Sequence, residues 1–466
     1  MDNNGDKRRR VLLISFPAQG HINPSLQFAK RLTRHHVHVT FVTSLSVYRR
    51  MPPIPTLPHV SFASFSDGYD DSFKPGEDDP SRFISEMERL GSQAIRDMIT
   101  TNAEEGQPFT CVVYSILLPW VDVVARSLHL PSILLWIEPA TVFTLYYHYY
   151  NGYKETITQS ILSNPSRTIQ LPGLPLLTGH DVPSFLLPSN VYDFAFSIFQ
   201  KLFELLAQQT NPKVLVNTFE ALEQDVVRGM DKFHLVPIGP LVPSAFLDCE
   251  DPSDASYGCS MFPCSRNNDD YISWLNSNPK AAVVYVSFGS ISRLSKEQKE
   301  EIASGLLSFG QPFLWVIRDE DMGDDTLSCR EELEAVGKIV PWCSQLEVLS
   351  SPATGCFVTH CGWNSTLESL VCGVPMVGFP QWADQGTNAK IIEDMAETGV
   401  RVEVGMDGMV KREEIKRCLE VVMGDSNKGE EIRKKALKWK ELAKEAAKDG
   451  GSSDANFKAF VDQLCS

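Results

Sequence analysis

The sequence predicts an α/β protein with two parallel sheets, each covered by helices on both faces. Short β-branched runs alternate with amphipathic helical segments through residues 11–217, and the alternation returns through residues 281–404. Between them, a stretch rich in Pro, Ser and Asp interrupts the periodicity. A chain of 466 residues also favours two domains over one. The predicted boundaries are an N-terminal domain at 1–240, a linker at 241–268, a second domain at 269–448 and a C-terminal helix at 449–466.

The first half opens with a βαβ unit. VLLISF (11–16) is typical of a buried strand, Asn23 and Pro24 supply an N-cap and a proline at the first helical position, and VHVTFVT (37–43) is the next strand. The later elements are, in order, TCVVY (110–114), the Pro119-led helix PWVDVVARSL, SILLW (132–136) and VLVN (214–217). Repeated units of this kind build a parallel sheet between two helical layers.

The second half repeats the pattern. Its helix at 295 begins with the capping-box spacing of Ser295 and Gln298. The strand-like runs are AAVVYVSF (281–288), FLWVIR (313–318), CFVTH (356–360), PMVGF (375–379) and VRVEV (400–404). Two charged helical segments, around KKALKWKELAKEAA and DANFKAFVDQL, close the chain.

Composition excludes several classes of function. The formal charge of −16 opposes binding to nucleic acid, which needs Lys and Arg to neutralise phosphates. No apolar run reaches the roughly 18 to 20 residues of a membrane span, and the basic start precedes only VLLISF before Pro17, which is too short for a secretory signal. The 11 cysteines show no CxxC pair, which suits a reducing compartment. We expect a cytoplasmic monomer without membrane insertion.

The stretch CFVTHCGWNSTLE (356–368) places polar side chains at the end of a predicted strand. Gly362 would permit a tight turn, and a helix would begin at Ser365. Because helix N-termini favour anions, His360, Asn364 and Ser365 form a predicted phosphate site, while Glu368 would accept hydrogen bonds from a ribose. The Ser-x-x-Glu spacing fits a ligand-free capping box equally well. This stretch alone leaves both interpretations open.

The flanking residues favour the ligand site. The whole segment from Trp342 to Gln385 resembles the 44-residue signature of the plant UDP-dependent glycosyltransferases of family 1. The resemblance extends to PAQGHINP (17–24), VSFGS (286–290) and the helical tail. It implies the GT-B architecture, in which two Rossmann-like domains face each other and the C-terminal helix returns to the N-terminal domain.

The resemblance also implies roles for individual residues in binding UDP-glucose. Trp342 would stack on uracil, Cys343 and Gln345 would lie beside the base and ribose, and Glu368 would bind the ribose hydroxyls. The diphosphate would be held by His360, Asn364, Ser365 and Ser290, and sugar hydroxyls by Asp384 and Gln385. Gln385 indicates glucose rather than galactose, and Trp363 argues against glucuronic acid. Gly20 and Gly362 complete the predicted set.

His21 occupies the place of the family's general base. The implied mechanism is a single inverting displacement, in which His21 removes the acceptor proton while neutral groups at the helix N-terminus stabilise the departing diphosphate. We therefore expect no metal and no cofactor besides the UDP-glucose substrate. Asp319 and Asp321 match the DxD pattern of metal-dependent transferases, but that motif belongs to the other transferase fold.

The family's usual aspartate beside this histidine is missing, because Ser115 stands in its place. A hydroxyl can hydrogen-bond an imidazole but cannot stabilise imidazolium as a carboxylate does. Glu138 is a candidate substitute, whereas Asp122 is more simply explained by its own helix N-terminus. Alternatively, the acceptor is a carboxylic acid, already ionised at neutral pH, so glucose-ester formation would tolerate Ser115 better than phenol glycosylation.

We therefore expect inverting glucosyl transfer to a hydroxyl or carboxyl group of a small lipophilic plant metabolite. The acceptor would be a phenolic, flavonoid or anthocyanin, a hormone, or another carboxylic acid. The aromatic stretch at 141–153 and the Pro-rich stretch at 172–188 are predicted to line the acceptor cleft, with core packing an equal alternative for the aromatics. A non-catalytic UDP-sugar-binding protein and a sugar-nucleotide epimerase are the competing interpretations.

Overall fold

The computed structural model describes residues 9–51, 57–74, 76–187, 193–257, 269–318 and 327–464. Within these ranges the strands form two sheets, one of seven strands and one of six, and every recorded pairing between the strands is parallel. The predicted two-sheet α/β fold is confirmed.

The strands are numbered in chain order. The first sheet contains β1 Arg10–Ile14, β2 His38–Ser44, β3 Val60–Phe65, β4 Cys111–Ser115, β5 Ser132–Trp136, β6 Lys213–Val216 and β7 His234–Pro237. The second contains β8 Val283–Ser287, β9 Phe313–Val316, β10 Lys338–Val340, β11 Thr354–Thr359, β12 Met376–Gly378 and β13 Gly399–Arg401. Their spatial orders are β3-β2-β1-β4-β5-β6-β7 and β10-β9-β8-β11-β12-β13.

Helices follow most of the strands. In the first half they are α1 Gln19–Arg34, α2 Leu45–Arg50, α3 Pro80–Glu104, α4 Pro119–Ser127, α5 Ala140–His148, α6 Lys154–Ser163, α7 Asp193–Ala207 and α8 Glu220–Gly229. The remaining ones are α9 Asp269–Asn276, α10 Lys296–Phe309, α11 Arg330–Val336, α12 Gln345–Ser350, α13 Trp363–Cys372, α14 Gln385–Lys390, α15 Arg412–Met423, α16 Asn427–Ala447 and α17 Ser452–Gln463.

Two predicted helix starts are wrong. Helix α1 begins at Gln19, so Pro24 lies inside the helix rather than at its first position. Helix α13 begins at Trp363, two residues before Ser365. By contrast, α10 does begin after Ser295, whose hydroxyl accepts from the Gln298 backbone N–H at 3.2 Å.

Each sheet has one position where the strand order reverses. In the first sheet, β1 lies between β2 and β4; in the second, β8 lies between β9 and β11. Ligands of open α/β sheets bind at the carboxyl ends of the strands beside such a position. The loops that follow β1, β4, β8 and β11 are therefore where a ligand is expected to bind.

Ion pairs and hydrogen bonds join the two halves of the chain. Asp254, in the segment between the halves, pairs with Lys30 of α1 at 2.6 Å. Asp181, in the Pro-rich stretch of the first half, pairs with Arg401 at 2.9 Å. Helix α17 returns to the first sheet, where Phe457 and Phe460 pack against Phe28 of α1.

No helix within the described ranges is long and apolar enough to cross a membrane. The eight cysteines in those ranges are all free thiols.

Candidate active site

A cavity of about 730 Å³ lies between the two halves, at the carboxyl ends of strands from both sheets. Its walls include every predicted site residue except Ser115, which is fully buried behind His21. The structure thus brings together residues that lie up to 365 positions apart, from Gly20 to Gln385.

The carboxylate of Glu368 is held by two side chains from other segments. Tyr257 donates its hydroxyl to Glu368 Oε1 at 2.8 Å, and Gln345 donates its amide to Oε2 at 2.7 Å. Gln345 also donates to the Ser365 hydroxyl at 2.8 Å. Burial raises the pKa of Glu368 to about 7, although both hydrogen bonds favour the ionised form.

These contacts decide between the two interpretations of Ser-x-x-Glu. The capping residue of α13 is Gly362, which has no side chain to cap the helix, and Ser365 lies inside the helix rather than at the capping position. Ser365 and Glu368 are engaged with Gln345 instead, on the wall of the cavity. The capping-box alternative is therefore wrong, and Tyr257 is a member of this network that sequence reasoning missed.

Trp342, Cys343 and Gln345 follow β10 and line the same wall. Tyr285 of β8 fixes two of them, since its hydroxyl lies 3.5 Å from Cys343 Sγ and donates to Gln345 Oε1 at 3.2 Å. Tyr285 itself lines the cavity and stacks on Phe357 in the core. It was not predicted, because an apolar strand sequence does not show which side chain reaches the strand's end.

His360 follows β11 and is accommodated by two glycines. A Cβ at Gly289, whose φ is +74°, would lie 2.6 Å from His360 Nε2, and one at Gly362 would lie 2.5 Å from it. Gly362 has an ordinary φ of −59°, so its role is to leave space rather than to permit a turn. Burial lowers the pKa of His360 to about 4, and its buried Nδ1 has no recorded partner among the described residues.

His21 lies in the first turn of α1, after β1. Its Nδ1 is 3.4 Å from the Ser115 hydroxyl at the end of β4, and its ring packs 5.0 Å from that of Phe16. Ser115 Oγ also accepts the Phe16 backbone N–H at 2.9 Å. Burial lowers the pKa of His21 to about 3, so the imidazole is neutral at physiological pH.

Glu138 follows β5 and lines the cavity without a recorded hydrogen bond to His21. Its Oε2 is buried with no partner among the described residues, and burial together with Asp384 holds its pKa well above the ordinary value. Burial also raises the pKa of Asp384 to about 6, although Asn388 donates to its Oδ2 at 2.6 Å. Glu138 therefore interacts electrostatically with Asp384 and has no recorded contact with the histidine.

Asp122 lies in the first turn of α4, near the helix N-terminus as predicted, and is fully buried. It pairs with Arg126 and accepts from Ser132 and from Gln209, the latter at 3.1 Å. None of these residues lines the cavity.

Three further predicted residues contact other parts of the protein. Gln385 Oε1 accepts the backbone N–H groups of Gln381 and Trp382 at 2.8 and 3.1 Å. Trp363 donates its indole N–H to the Asn217 carbonyl at 2.7 Å, and Asn364 donates its amide to the Gly20 carbonyl at 2.8 Å. The last two bonds join α13 to the first half of the chain.

The side of the cavity formed by the first half of the chain is largely apolar. Its lining includes Phe16, Ile116, Leu117, Phe185, Phe194 and Phe199. Phe185 comes from the Pro-rich stretch, as predicted, but no residue of 141–153 lines the cavity. That aromatic stretch packs in the core, where Phe143 and Tyr146 are buried, so its predicted role in the cleft is wrong.

Asp319 and Asp321 lie outside the described residues. Within the described ranges, no three or more His, Cys, Asp or Glu side chains are grouped so as to hold a metal ion.

Known proteins resemble this chain over almost its whole length. A family model described as UDP-glucoronosyl and UDP-glucosyl transferase matches residues 258–438. The phloretin 4'-O-glucosyltransferase of Malus domestica is 56% identical, with 98% of each chain covered. The crocetin glucosyltransferase, chloroplastic, of Gardenia jasminoides is 54% identical, with 98% of this chain and 97% of its own covered. The crystal structure of Os79 from O. sativa in complex with UDP has a TM-score of 0.88 at 35% identity, with 97% of this chain and 100% of its own covered.

Proposed function

This chain belongs to the plant UDP-dependent glycosyltransferases of family 1, and from that membership we propose that it transfers glucose, with inversion, from UDP-glucose to a neutral hydroxyl group of a small lipophilic metabolite. One observation carries the proposal. His21, whose Nδ1 lies beside the Ser115 hydroxyl, lines the same cavity as the residues predicted to hold UDP-glucose. Nearly all of those residues come from the other half of the chain.

The sugar donor is held mainly by neutral groups in this proposal. Uracil stacks on Trp342, the ribose hydroxyls replace Tyr257 and Gln345 on Glu368, and Asp384 and Gln385 receive the glucose hydroxyls. His360, Ser365, Ser290 and the N-terminus of α13 hold the diphosphate. Because these donors are oriented before the reaction, they stabilise the charge that develops on the leaving diphosphate without a metal ion or further cofactor.

The proton path depends on the tautomer of His21. Nε2 can accept a proton only if Nδ1 carries the ring hydrogen and donates it to Ser115 Oγ. The serine oxygen can accept this second bond beside the one from Phe16, because a hydroxyl has two lone pairs. The negative charge of bound diphosphate raises the pKa of His21 above its value in the unliganded protein, which makes the imidazole a stronger base when the sugar donor is present.

The lining of the cavity favours a neutral acceptor. No Lys or Arg occurs among the described residues that line it, whereas Glu138 and Asp384 add carboxyl groups to the wall. Burying an acceptor carboxylate without a cation costs several kcal/mol, about the scale of a buried unpaired charge. A phenol or alcohol avoids this cost, and Glu138 can hydrogen-bond to it. We therefore favour a phenolic hydroxyl over the carboxyl acceptor that the missing aspartate suggested.

Two relatives are named for different acceptors, phloretin and crocetin. For this chain we therefore propose a class of acceptor, a phenol, and no single compound. We propose a monomer in the cytoplasm, and the free thiols of the described residues support the reducing compartment. One relative is named as chloroplastic, so localisation of a tagged full-length chain is the test.

The decisive assay offers UDP-glucose with matched acceptors that share one carbon skeleton, one bearing a phenol and the other a carboxylic acid. We expect a mass gain of one glucose on the phenol, in a product that resists hydroxylamine. A hydroxylamine-labile product from the acid alone would show that the enzyme forms esters. UDP binding with no transfer would indicate a binding protein, and conversion of the UDP-sugar without an acceptor would indicate an epimerase.

A further inference from the structure

The loop that follows β8 carries Ser290, which lines the cavity. Residues 289–294 form neither helix nor strand, so their backbone carbonyls need hydrogen-bond donors from elsewhere in the chain. Two of these carbonyls, those of Ser290 and Ser292, accept from one side chain, the guanidinium of Arg318. The bond from Nη2 to the Ser292 carbonyl is 2.8 Å long. A single arginine therefore holds the loop at two residues.

The order of the second sheet brings Arg318 to this loop. Arg318 lies two residues beyond β9, which pairs in parallel with β8 and places Trp315 opposite Val286. Because parallel strands end at the same edge of a sheet, the chain after β9 lies beside the loop after β8. Arg318 is buried and does not line the cavity. Its hydrogen bonds can therefore act on a nucleotide in the cavity only through the loop.

The shape of the guanidinium suits this contact. Its Nη atoms lie in one plane and reach two acceptors at once, whereas a lysine has a single nitrogen. The loop also approaches His360 closely, since a Cβ at Gly289 would lie 2.6 Å from His360 Nε2. A change in the path of the loop would thus move Ser290 relative to the histidine on the same wall.

We propose that Arg318 is a positioning residue for the sugar donor, which fixes Ser290 against the diphosphate by holding the backbone at Ser290 and Ser292. The proposal rests on the proposed function, in which Ser290 contacts the diphosphate. The charge of Arg318 reaches this wall as well. Burial lowers the pKa of His360 to about 4, and the nearby positive charge of Arg318 acts in the same direction. An experiment must therefore separate the paired hydrogen bonds from the charge.

Two substitutions make this separation. Arg318→Met removes the bonds and the charge, whereas Arg318→Lys keeps the charge and loses the planar pair of donors. We expect Arg318→Met to weaken the Kd for UDP by about tenfold, the scale of one hydrogen bond to a charged group. The Kd for uridine, which lacks the diphosphate, should stay within about twofold. Arg318→Lys should still bind UDP at least about threefold more weakly than wild type, because charge alone does not fix the loop.

A double-mutant cycle tests whether the effect passes through Ser290. Ser290→Ala removes the hydroxyl and should itself weaken the Kd for UDP by about tenfold. Adding Arg318→Met to this variant should weaken the Kd by no more than about a further twofold, because the contact that the arginine positions is already missing.

Arg433 of α16 supplies a matched control. Its Nη1 donates to the carbonyls of Val422 and Gly424 at 2.7 and 3.0 Å, two residues apart in the chain as at the Ser290 loop. None of these three residues lines the cavity. Arg433→Met should therefore leave the Kd for UDP unchanged. Circular dichroism and the thermal unfolding midpoint show whether each variant is folded, and if Arg318→Met fails to fold, Arg318→Lys decides the result.

Calorimetric titration with UDP and with uridine separates the outcomes. A loss confined to UDP, incomplete recovery by lysine and non-additivity with Ser290→Ala support the positioning role. Equal losses for UDP and uridine, full recovery by lysine, or losses that multiply in the double variant would overturn it. A wild-type protein that binds UDP but transfers no glucose to a phenol would overturn the proposed function and leave these binding comparisons valid. A wild-type protein that does not bind UDP would overturn both.

Discussion

At the scale of single residues, the base and its partner differ most from what the family resemblance implies. Ser115 is fully buried and lies 3.4 Å from His21, so a hydroxyl occupies the place where a carboxylate was expected. A neutral partner can hold the ring in one orientation, but it gives little help to the imidazolium that forms during the reaction.

Ser115→Ala should lower kcat by about tenfold or less, since it removes one neutral hydrogen bond. Ser115→Asp should raise the pKa of His21 by about 1 to 3 pH units and raise kcat with a phenol. Initial rates across pH 5 to 9 check both results, with circular dichroism to verify folding. Equal rates for wild type and Ser115→Ala would show that the hydroxyl does not orient the base.

The protonation state of His21 is a second prediction at this scale. Because burial lowers its pKa to about 3, the ring should stay neutral between pH 5 and 8, whereas a free histidine titrates near 6.5. Nitrogen-15 NMR of labelled histidine, assigned by comparison with His21→Ala, should show Nδ1 protonated and Nε2 bare. A signal that titrates between pH 6 and 7, or the opposite tautomer, would refute the proposed proton path.

The sequence identified which residues face the cavity better than it identified their contacts. The segment from Trp342 to Gln385 could be recognised because its order is local in the chain. The partners of Glu368 could not be predicted, because Tyr257 lies outside that segment and Gln345 reaches Glu368 from 23 positions away in the chain. Gly362 was predicted to form a turn, but in the structure its missing side chain leaves space for the His360 ring. The sequence alone does not show that the ring lies there.

At the scale of elements, the strands were predictable because buried parallel strands are continuous apolar runs. SILLW and β5 coincide, and VLLISF contains most of β1. Helix starts were harder to predict: Pro24 is normally a signal for a first turn, yet α1 begins five residues earlier. The linker and the Pro-rich stretch have no periodic pattern, so the sequence did not predict their contacts. Both nevertheless contribute residues to the cavity wall.

The Pro-rich stretch is held to the second half through Asp181, which pairs with Arg401 and accepts from the Thr178 backbone N–H at 2.7 Å. Asp181→Ala should lower the free energy of unfolding by about 2 to 3 kcal/mol, slightly less than for a wholly buried pair because Arg401 retains contact with water. Urea titration measures the change.

Glu86→Ala is the matched control, because Glu86 pairs with Arg89 on the exposed face of α3. Its effect on the free energy of unfolding should be close to zero, because an exposed ion pair contributes little to stability. Similar losses for Asp181→Ala and Glu86→Ala would show that the Pro-rich stretch is not anchored by this ion pair.

The segment between the halves contributes Tyr257, whose hydroxyl donates to Glu368 Oε1 at 2.8 Å. If the ribose must replace this hydroxyl, Tyr257→Phe removes a competitor and should bind UDP about threefold to tenfold more tightly, the scale of one hydrogen bond. Calorimetry measures the Kd directly. Weaker binding by the variant would mean that Tyr257 contacts the nucleotide instead of yielding to it.

At the scale of the whole molecule, the two sheets serve as supports whose strand ends meet at one cavity. Asp181 with Arg401 and Asn364 with Gly20 each tie one half to the other, and Asp254 with Lys30 ties the segment between the halves to the first half. The two-sheet fold could be predicted from the alternating periodicity of the sequence. That the two domains face each other could be predicted only from the family resemblance. Periodicity specifies layers within a sheet and carries no information about how two sheets are placed.

A crystal structure of the chain with bound UDP would test this arrangement most sharply. We predict uracil against Trp342 and the ribose hydroxyls within hydrogen-bonding distance of Glu368, with Tyr257 displaced. We also predict that the diphosphate lies at the N-terminus of α13 and points toward the side of the cavity that holds His21. UDP bound outside this cavity, or bound within it with the diphosphate directed away from His21, would contradict the proposed enzyme.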